Sequence, residues 1–211
     1  MSNSRTYGDQ CGVARSLDVI GERWALLIVR ELLLGPKRFG DLMAGLVGAS
    51  PNVISQRLRE LSGDGVVRQR LLEPPARVRV YELTEWGREL EPVVLHLGLW
   101  GERTPVPQGT PPSLDSLLLA LRAKADPDEL AGVYELRIGT DSIVVEAASG
   151  SLRMRRGTAD RPTGTLVTDG DTLRAVCFGQ RSVDDAVQAG DLRIDGDQDG
   201  LTGLLLTLLK R

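Results

Sequence analysis

The chain has 211 residues, enough for one large domain or two small ones, each with its own core. Hydrophobic content of 41%, charged content of 26% and a formal net charge of −3 are ordinary for a soluble globular chain. The polar start "MSNSRTYGDQ" has no secretion-signal core, no apolar run is long enough to cross a bilayer, and Cys11 and Cys177 match no metal spacing. The expectation is a cytoplasmic protein with no membrane partner, no metal and no cofactor.

Residues 11–20, "CGVARSLDVI", and 22–34, "ERWALLIVRELLL", carry helical patterns. The second is apolar almost all round, through Leu26, Leu27, Ile28, Val29, Leu32, Leu33 and Leu34, so burial is expected. "GPK" at 35–37 stops it, and a short third helix follows with Phe39, Leu42, Met43 and Leu46 at helical spacing. Ser50 then offers a cap and Pro51 a favourable first position for a fourth helix. There Ile54, Leu58 and Leu61 fall at i, i+4 and i+7 and make a core face. Asn52, Ser55, Gln56 and Arg59 fall roughly opposite, with Arg57 on the flank. These side chains can bond base edges, Arg with guanine and Asn or Gln with adenine; the bland alternative is a solvated surface helix.

"GVVRQRL" (65–71) and "RVRVYEL" (77–83) read as strands of a hairpin whose tip carries Pro74 and Pro75. Arg68, Arg70, Arg77 and Arg79 cluster in it, and six Arg face four acids between Ser50 and Leu83. A helix, a tight turn, a polar-faced helix and a basic hairpin make a winged helix-turn-helix, with a helix for the major groove and a wing for the DNA backbone. Thr84 should cap a helix running to about Arg103 and kinked at Pro92, because proline lacks a backbone donor. Its Leu90, Val93, Val94, Leu97 and Trp100 could meet the first helix of a partner. His96 on the same helix reads as an ordinary surface or interface residue.

The stretch "CGVARSLDVIGERWALLIVRELLLGPKRFGDLMAGLVGASPNVISQRLRELSGDGVV", followed by "VRVYELTEWGREL" and Trp100, closely resembles the HxlR family of bacterial transcription regulators. The resemblance covers about residues 10–103 and rests on Cys11, Gly21 with Trp24, Arg38-Phe39, the Asp64-Gly65 turn and the run from Tyr81 to Gly87. It implies a homodimer that binds a roughly palindromic operator in double-stranded DNA, with 51–62 as reader and 68–80 as wing. Carried over residue by residue, it makes Asn52, Ser55, Gln56 and Arg59 candidate base readers, and Lys37, Arg38, Arg57, Arg77 and Arg79 candidate phosphate contacts. Some relatives sense oxidants or electrophiles through a cysteine near position 11. Such a thiolate needs nearby positive charge, which Arg15 one turn along would supply. The other reading of Cys11 is a small, partly buried helix residue.

"RTPVPQGTPPS" (103–113), with four prolines, reads as a stiff linker. The expected division is 1–104 for DNA binding and dimerisation, 105–112 as linker and 113–211 as a second domain. Net charge is +1 up to Thr104 and −4 after it. The second part opens with an amphipathic helix, "SLDSLLLALRAKA", then alternates short strands and helices to the apolar "GLTGLLLTLLKR", so the overall fold class is α+β. "GTLVTDGDTLRAVCFGQRSVDDAVQAGDLRIDGDQDGLTGLLLTLL" resembles the sterol-carrier-protein-like fold, whose sheet and helices enclose an apolar tunnel for fatty or steroidal molecules. That resemblance makes Leu201, Leu204, Leu205 and Leu208 candidate contacts to a small hydrophobic effector; the plainer reading is that they close a solid core.

"DGDQDG" (195–200) copies the first half of a calcium loop but lacks its bidentate acid, since position 12 is Leu206. No enzyme signature is present: no G-x-S-x-G, no phosphate-cradling loop and no second histidine to join His96. The sequence therefore predicts a dimeric regulator, not an enzyme, with an effector domain. The alternative is a lipid or acyl carrier whose N-terminal part only dimerises.

Overall fold

The structure is a computed structural model that describes residues 6–73, 76–105, 109–126, 130–148 and 150–209, the Leu208 side chain excepted. The hairpin tip expected at Pro74 and Pro75 lies outside the described residues, as do 106–108 of the Pro-rich stretch. The chain forms two compact units, Met1–Leu97 with Thr104–Asp115 and Gly98–Arg103 with Ser116–Arg211. Most of the stretch expected as a linker thus groups with the first unit.

In the first unit α1 (Gly12–Ile20) ends at Gly21, whose N–H donates to the Leu17 carbonyl. The expected helix at 22–34 starts later, because Trp24 adopts a left-handed backbone with φ 79° and the chain turns before α2 (Ala25–Leu32). α3 (Phe39–Gly45) and α4 (Pro51–Gly63) follow. Ala25, Ile28, Val29, Leu32, Leu42, Ile54, Leu58 and Leu61 from α2, α3 and α4 form one buried cluster with Val66, Val67 and Leu83 of the hairpin. Each fully buried aliphatic side chain of this kind contributes about 1.5–3 kcal/mol. The hairpin pairs β1 (Val67–Leu71) with β2 (Arg79–Leu83) antiparallel, and Lys37 adds a backbone bridge to Tyr81 on the far edge of β2.

Downstream of the hairpin, one kinked helix was expected; the chain instead makes α5 (Glu85–Arg88) and α6 (Glu91–Gly101). Thr84 caps α5, its Oγ1 accepting from the Gly87 N–H at 3.0 Å. Pro92 sits in the first turn of α6, where its missing donor costs nothing. Gly87 is needed for close approach: a Cβ there would lie 2.1 Å from the Val66 carbonyl oxygen.

The second unit begins with the end of α6 and most of α7 (Leu114–Lys124). A five-stranded sheet follows in the order β5-β4-β3-β6-β7, from β3 (Gly132–Ile138), β4 (Asp141–Ala148), β5 (Ser151–Arg156), β6 (Gly164–Thr168) and β7 (Leu192–Gly196). Only the β3–β6 pair is parallel. Helices α8 (Gly170–Cys177), α9 (Val183–Gln188) and α10 (Gln198–Leu206) fill the β6–β7 connection and the end of the chain. Alternation along β3 sends Tyr134, Leu136 and Ile138 to one face, where they are buried, and Val133, Glu135 and Arg137 to the other, where Val133 and Arg137 are exposed and Glu135 is buried. α10 meets α8, β6 and β7. Asp197 caps α10 through the Gly200 N–H at 3.0 Å and accepts from the Tyr134 hydroxyl at 2.7 Å. That acid of the calcium-like run is therefore engaged in holding a helix to the sheet.

Candidate nucleic-acid interface

α4 starts cleanly because the Ser50 hydroxyl accepts from the Val53 N–H and Pro51 holds the first helical position. Ile54, Leu58 and Leu61 are buried, and this pins the helix by one face. The opposite face is therefore turned out: Asn52, Gln56 and Arg59 are exposed and Ser55 half-buried. Arg59 Nε donates to the Ser55 carbonyl at 3.3 Å, and Gln56 Nε2 to Glu60 Oε1 at 3.1 Å.

The wing presents more basic groups than the sequence reading selected. Arg38, Arg77 and Arg79 are exposed, Arg77 with a positive φ of 38°. Arg68 and Arg70 lie two residues apart on one strand face, with Glu82 directly opposite Arg68. Glu82 is buried and accepts from Arg68 Nε at 2.7 Å and Arg70 Nε at 3.1 Å, while the two arginine side chains stay 61% and 48% exposed. These two arginines were seen as part of a basic cluster but not chosen as contacts. Their signal was the spacing of two around one cross-strand acid, which emerges only once the register is known.

Two expected phosphate contacts are not displayed. Lys37 is only 8% exposed, its ammonium held by Glu31 Oε2 at 2.6 Å and by Asp115. Glu31 is itself fully buried and also takes Arg30 at 2.8 Å and the Ser113 hydroxyl at 2.6 Å. Burial pushes the Glu31 carboxyl up, but the Lys37 charge and hydrogen bond, with Ser113 and Arg30, outweigh it and hold the group below its usual pKa. Gly45 makes room, since a Cβ there would meet Glu31 Oε2 at 2.2 Å. Arg57, expected on the flank, turns inward: it is 13% exposed and pairs with Glu60 and, at 3.4 Å, with Glu22. An ammonium or guanidinium packed this way is already compensated and presents little charge to a phosphate.

The remaining candidates are elsewhere. Leu201, Leu204 and Leu205 are buried in the second unit, and the Leu208 side chain lies outside the described residues. Cys11 is exposed at the start of α1, contrary to the reading of it as partly buried. Its sulfur makes no cap hydrogen bond of normal geometry, yet the Ala14 and then the Val13 amides favour the thiolate and hold the pKa below its usual value. Cys177 is buried, and desolvation pushes its thiol up to about 12. An open groove of about 500 Å³ runs between α1 and α5, lined by Gly12, Arg15, Val19, Trp86 and Leu90 among others. Among the described residues no helix is long and apolar enough to cross a membrane.

The match to a protein family falls largely on this unit. A model described as HxlR-like helix-turn-helix matches residues 19–108. YdeP of Bacillus subtilis (strain 168), named as an uncharacterized HTH-type transcriptional regulator, is 38% identical over 94 residues, 44% of this chain and 73% of that protein. Mb3122 of Mycobacterium bovis, similarly named, is 40% identical over 100 residues, 47% of this chain and 63% of its own. Among solved structures, the redox regulator HypR in its oxidized form aligns at 34% identity over 46% of this chain and 100% of that one, with a TM-score of 0.43. Through the unit that carries α4 and the wing, the chain belongs to the HxlR-like helix-turn-helix family of transcriptional regulators.

Proposed function

We propose that the protein is a homodimeric DNA-binding regulator that places α4 in the major groove of each half of a palindromic operator. One observation carries this: the polar face of α4 is displayed by a rigid apolar anchor, with an exposed arginine wing on the same small unit. Asn52, Ser55, Gln56 and Arg59 supply base-edge donors and acceptors. Arg38, Arg68, Arg70, Arg77 and Arg79 supply backbone contacts. Lys37 and Arg57 leave the phosphate set. Dimerisation is supported by apolar surface the chain does not cover itself: no residue of α6 is buried, and Val93, Leu97 and Trp100 there and Val13 and Leu17 on α1 are exposed. Two reading helices related by a two-fold axis suit half-sites about 34 Å apart.

The second unit fits a sterol-carrier-like role as receiver of a small hydrophobic effector. Its mixed five-stranded sheet and the apolar α10 support that reading. An effector acts by its differential affinity for DNA-competent and incompetent states. Cys11 adds a redox reading, supported by its exposure and its lowered pKa. Fluorescence anisotropy with the protein's own upstream duplex across a salt series tests the central claim. The expected result is saturable binding whose log K falls linearly with log salt. Uptake of a fluorescent fatty acid with no salt-dependent DNA binding would instead establish a carrier.

A further inference from the structure

Gln56 lies at the middle of the displayed face of α4, and its Nε2 donates to Glu60 Oε1 at 3.1 Å. A carboxylate only accepts, so the amide must turn its NH2 toward Glu60; the oxygen and nitrogen of Gln56 are not interchangeable here. One N–H is thereby committed, which leaves Oε1 and the second N–H for a partner outside the helix. An exposed pair one turn apart is weak by itself. Glu60, however, is held from its other side by Arg57, which is largely buried and reaches Glu22 at 3.4 Å. The Arg57 Nε is buried without a hydrogen-bond partner among the described residues, so the guanidinium is held in place by its Nη1 and Nη2 ion pairs to Glu60 and Glu22. A line of four side chains, Glu22, Arg57, Glu60 and Gln56, runs from the turn before α2 to the reading face.

We propose that Glu60 is a positioning residue that fixes the polarity of the Gln56 amide and so makes it read adenine. This deepens the DNA-binding reading and rests on it. Adenine shows a donor at N6 beside an acceptor at N7, which the held amide matches with Oε1 and its remaining N–H. Guanine shows two acceptors, N7 and O6. With one N–H committed to Glu60, the amide cannot satisfy both, and its Oε1 would face O6. Without Glu60 the amide turns freely and guanine becomes acceptable.

The test uses the full chain and a pool of duplexes randomised over the half-site. It compares wild type with Glu60→Ala, Glu60→Gln, Gln56→Ala and the double variant Gln56→Ala/Glu60→Ala. Alanine is a strong helix former, so α4 should persist, as a thermal melt will show. Glu60→Ala is expected to lower the adenine preference at the base facing Gln56 by about fivefold, the lower edge of what a bidentate contact discriminates. Preferences elsewhere should hold, Glu60→Gln should also lose the adenine preference because Arg57 takes its single carbonyl oxygen and leaves its NH2 facing Gln56, and Glu60→Ala should change nothing further once Gln56 is alanine. Uniform tightening on every sequence with unchanged preferences would overturn the proposal, since Glu60 would then only repel phosphates; so would Glu60→Gln keeping the wild-type adenine preference. Wild-type protein that binds no duplex would overturn the DNA-binding reading itself, a different failure from these.

Discussion

Two acids in the first unit each gather two cations, with opposite consequences. Glu31 is fully buried and draws Lys37 and Arg30 inward, so the Lys37 charge becomes part of the packing. Glu82 sits at the edge of the interior and holds Arg68 and Arg70 by their Nε atoms while about half of each side chain remains in solvent. The same chemistry is a brace in one place and a mount in the other. Depth decides which, because a charge removed from water is costly to leave unpaired, whereas an exposed one is well solvated.

The largest test of that contrast is Glu31→Ala, which strands Lys37 in a dry site with Asp115 alone. A loss of about 3 kcal/mol is expected in denaturant unfolding, the lower end for breaking a buried pair. The sign with pH follows from the lowered pKa of Glu31. Its contribution is complete above the unfolded value near 4.5 and is lost as pH falls through the lower folded value. Melting curves of wild type and Glu31→Gln should therefore converge on acidification, and curves that stay parallel would show that Glu31 is not the titrating brace.

Next in size is Arg59→Ala, expected to cost about 1–3 kcal/mol of discrimination at one base pair while melting changes little. Arg68→Ala and Arg70→Ala should each weaken binding to all sequences alike and reduce the log–log salt slope by about 0.9. Slopes equal to wild type would remove these arginines from the interface. Glu82→Ala should cost under about 1 kcal/mol of stability, since its partners are half in water. If it proved as damaging as Glu31→Ala, the contrast between brace and mount would be broken. Smallest is Cys11: iodoacetamide labelling against pH should give a midpoint below the ordinary 9.0, with Cys177 unlabelled in the folded protein.

The face of α4 was legible in the sequence because helical periodicity alone separates Ile54, Leu58 and Leu61 from Asn52, Gln56 and Arg59. The strands of the second unit were legible through alternation and turn residues. Lys37 and Arg57 were misread for a shared reason: a cation one or two residues from another basic group looks exposed until its acid partner is known. Glu31 is six positions before Lys37, and Arg57 pairs with Glu60 three positions on as well as with Glu22 thirty-five before it. The break between α5 and α6 was read as a kink, since proline marks the place but not whether the helix resumes as one rod or two.

By itself the sequence determined the order of elements, the apolar anchor of each helix and the family likeness, because these depend on local periodicity and on motifs read along the chain. Only the tertiary structure decided which charges are working surface and which are internal braces. That choice depends on pairings between residues distant in sequence and on how much water each pair keeps, and neither quantity is written in the local pattern.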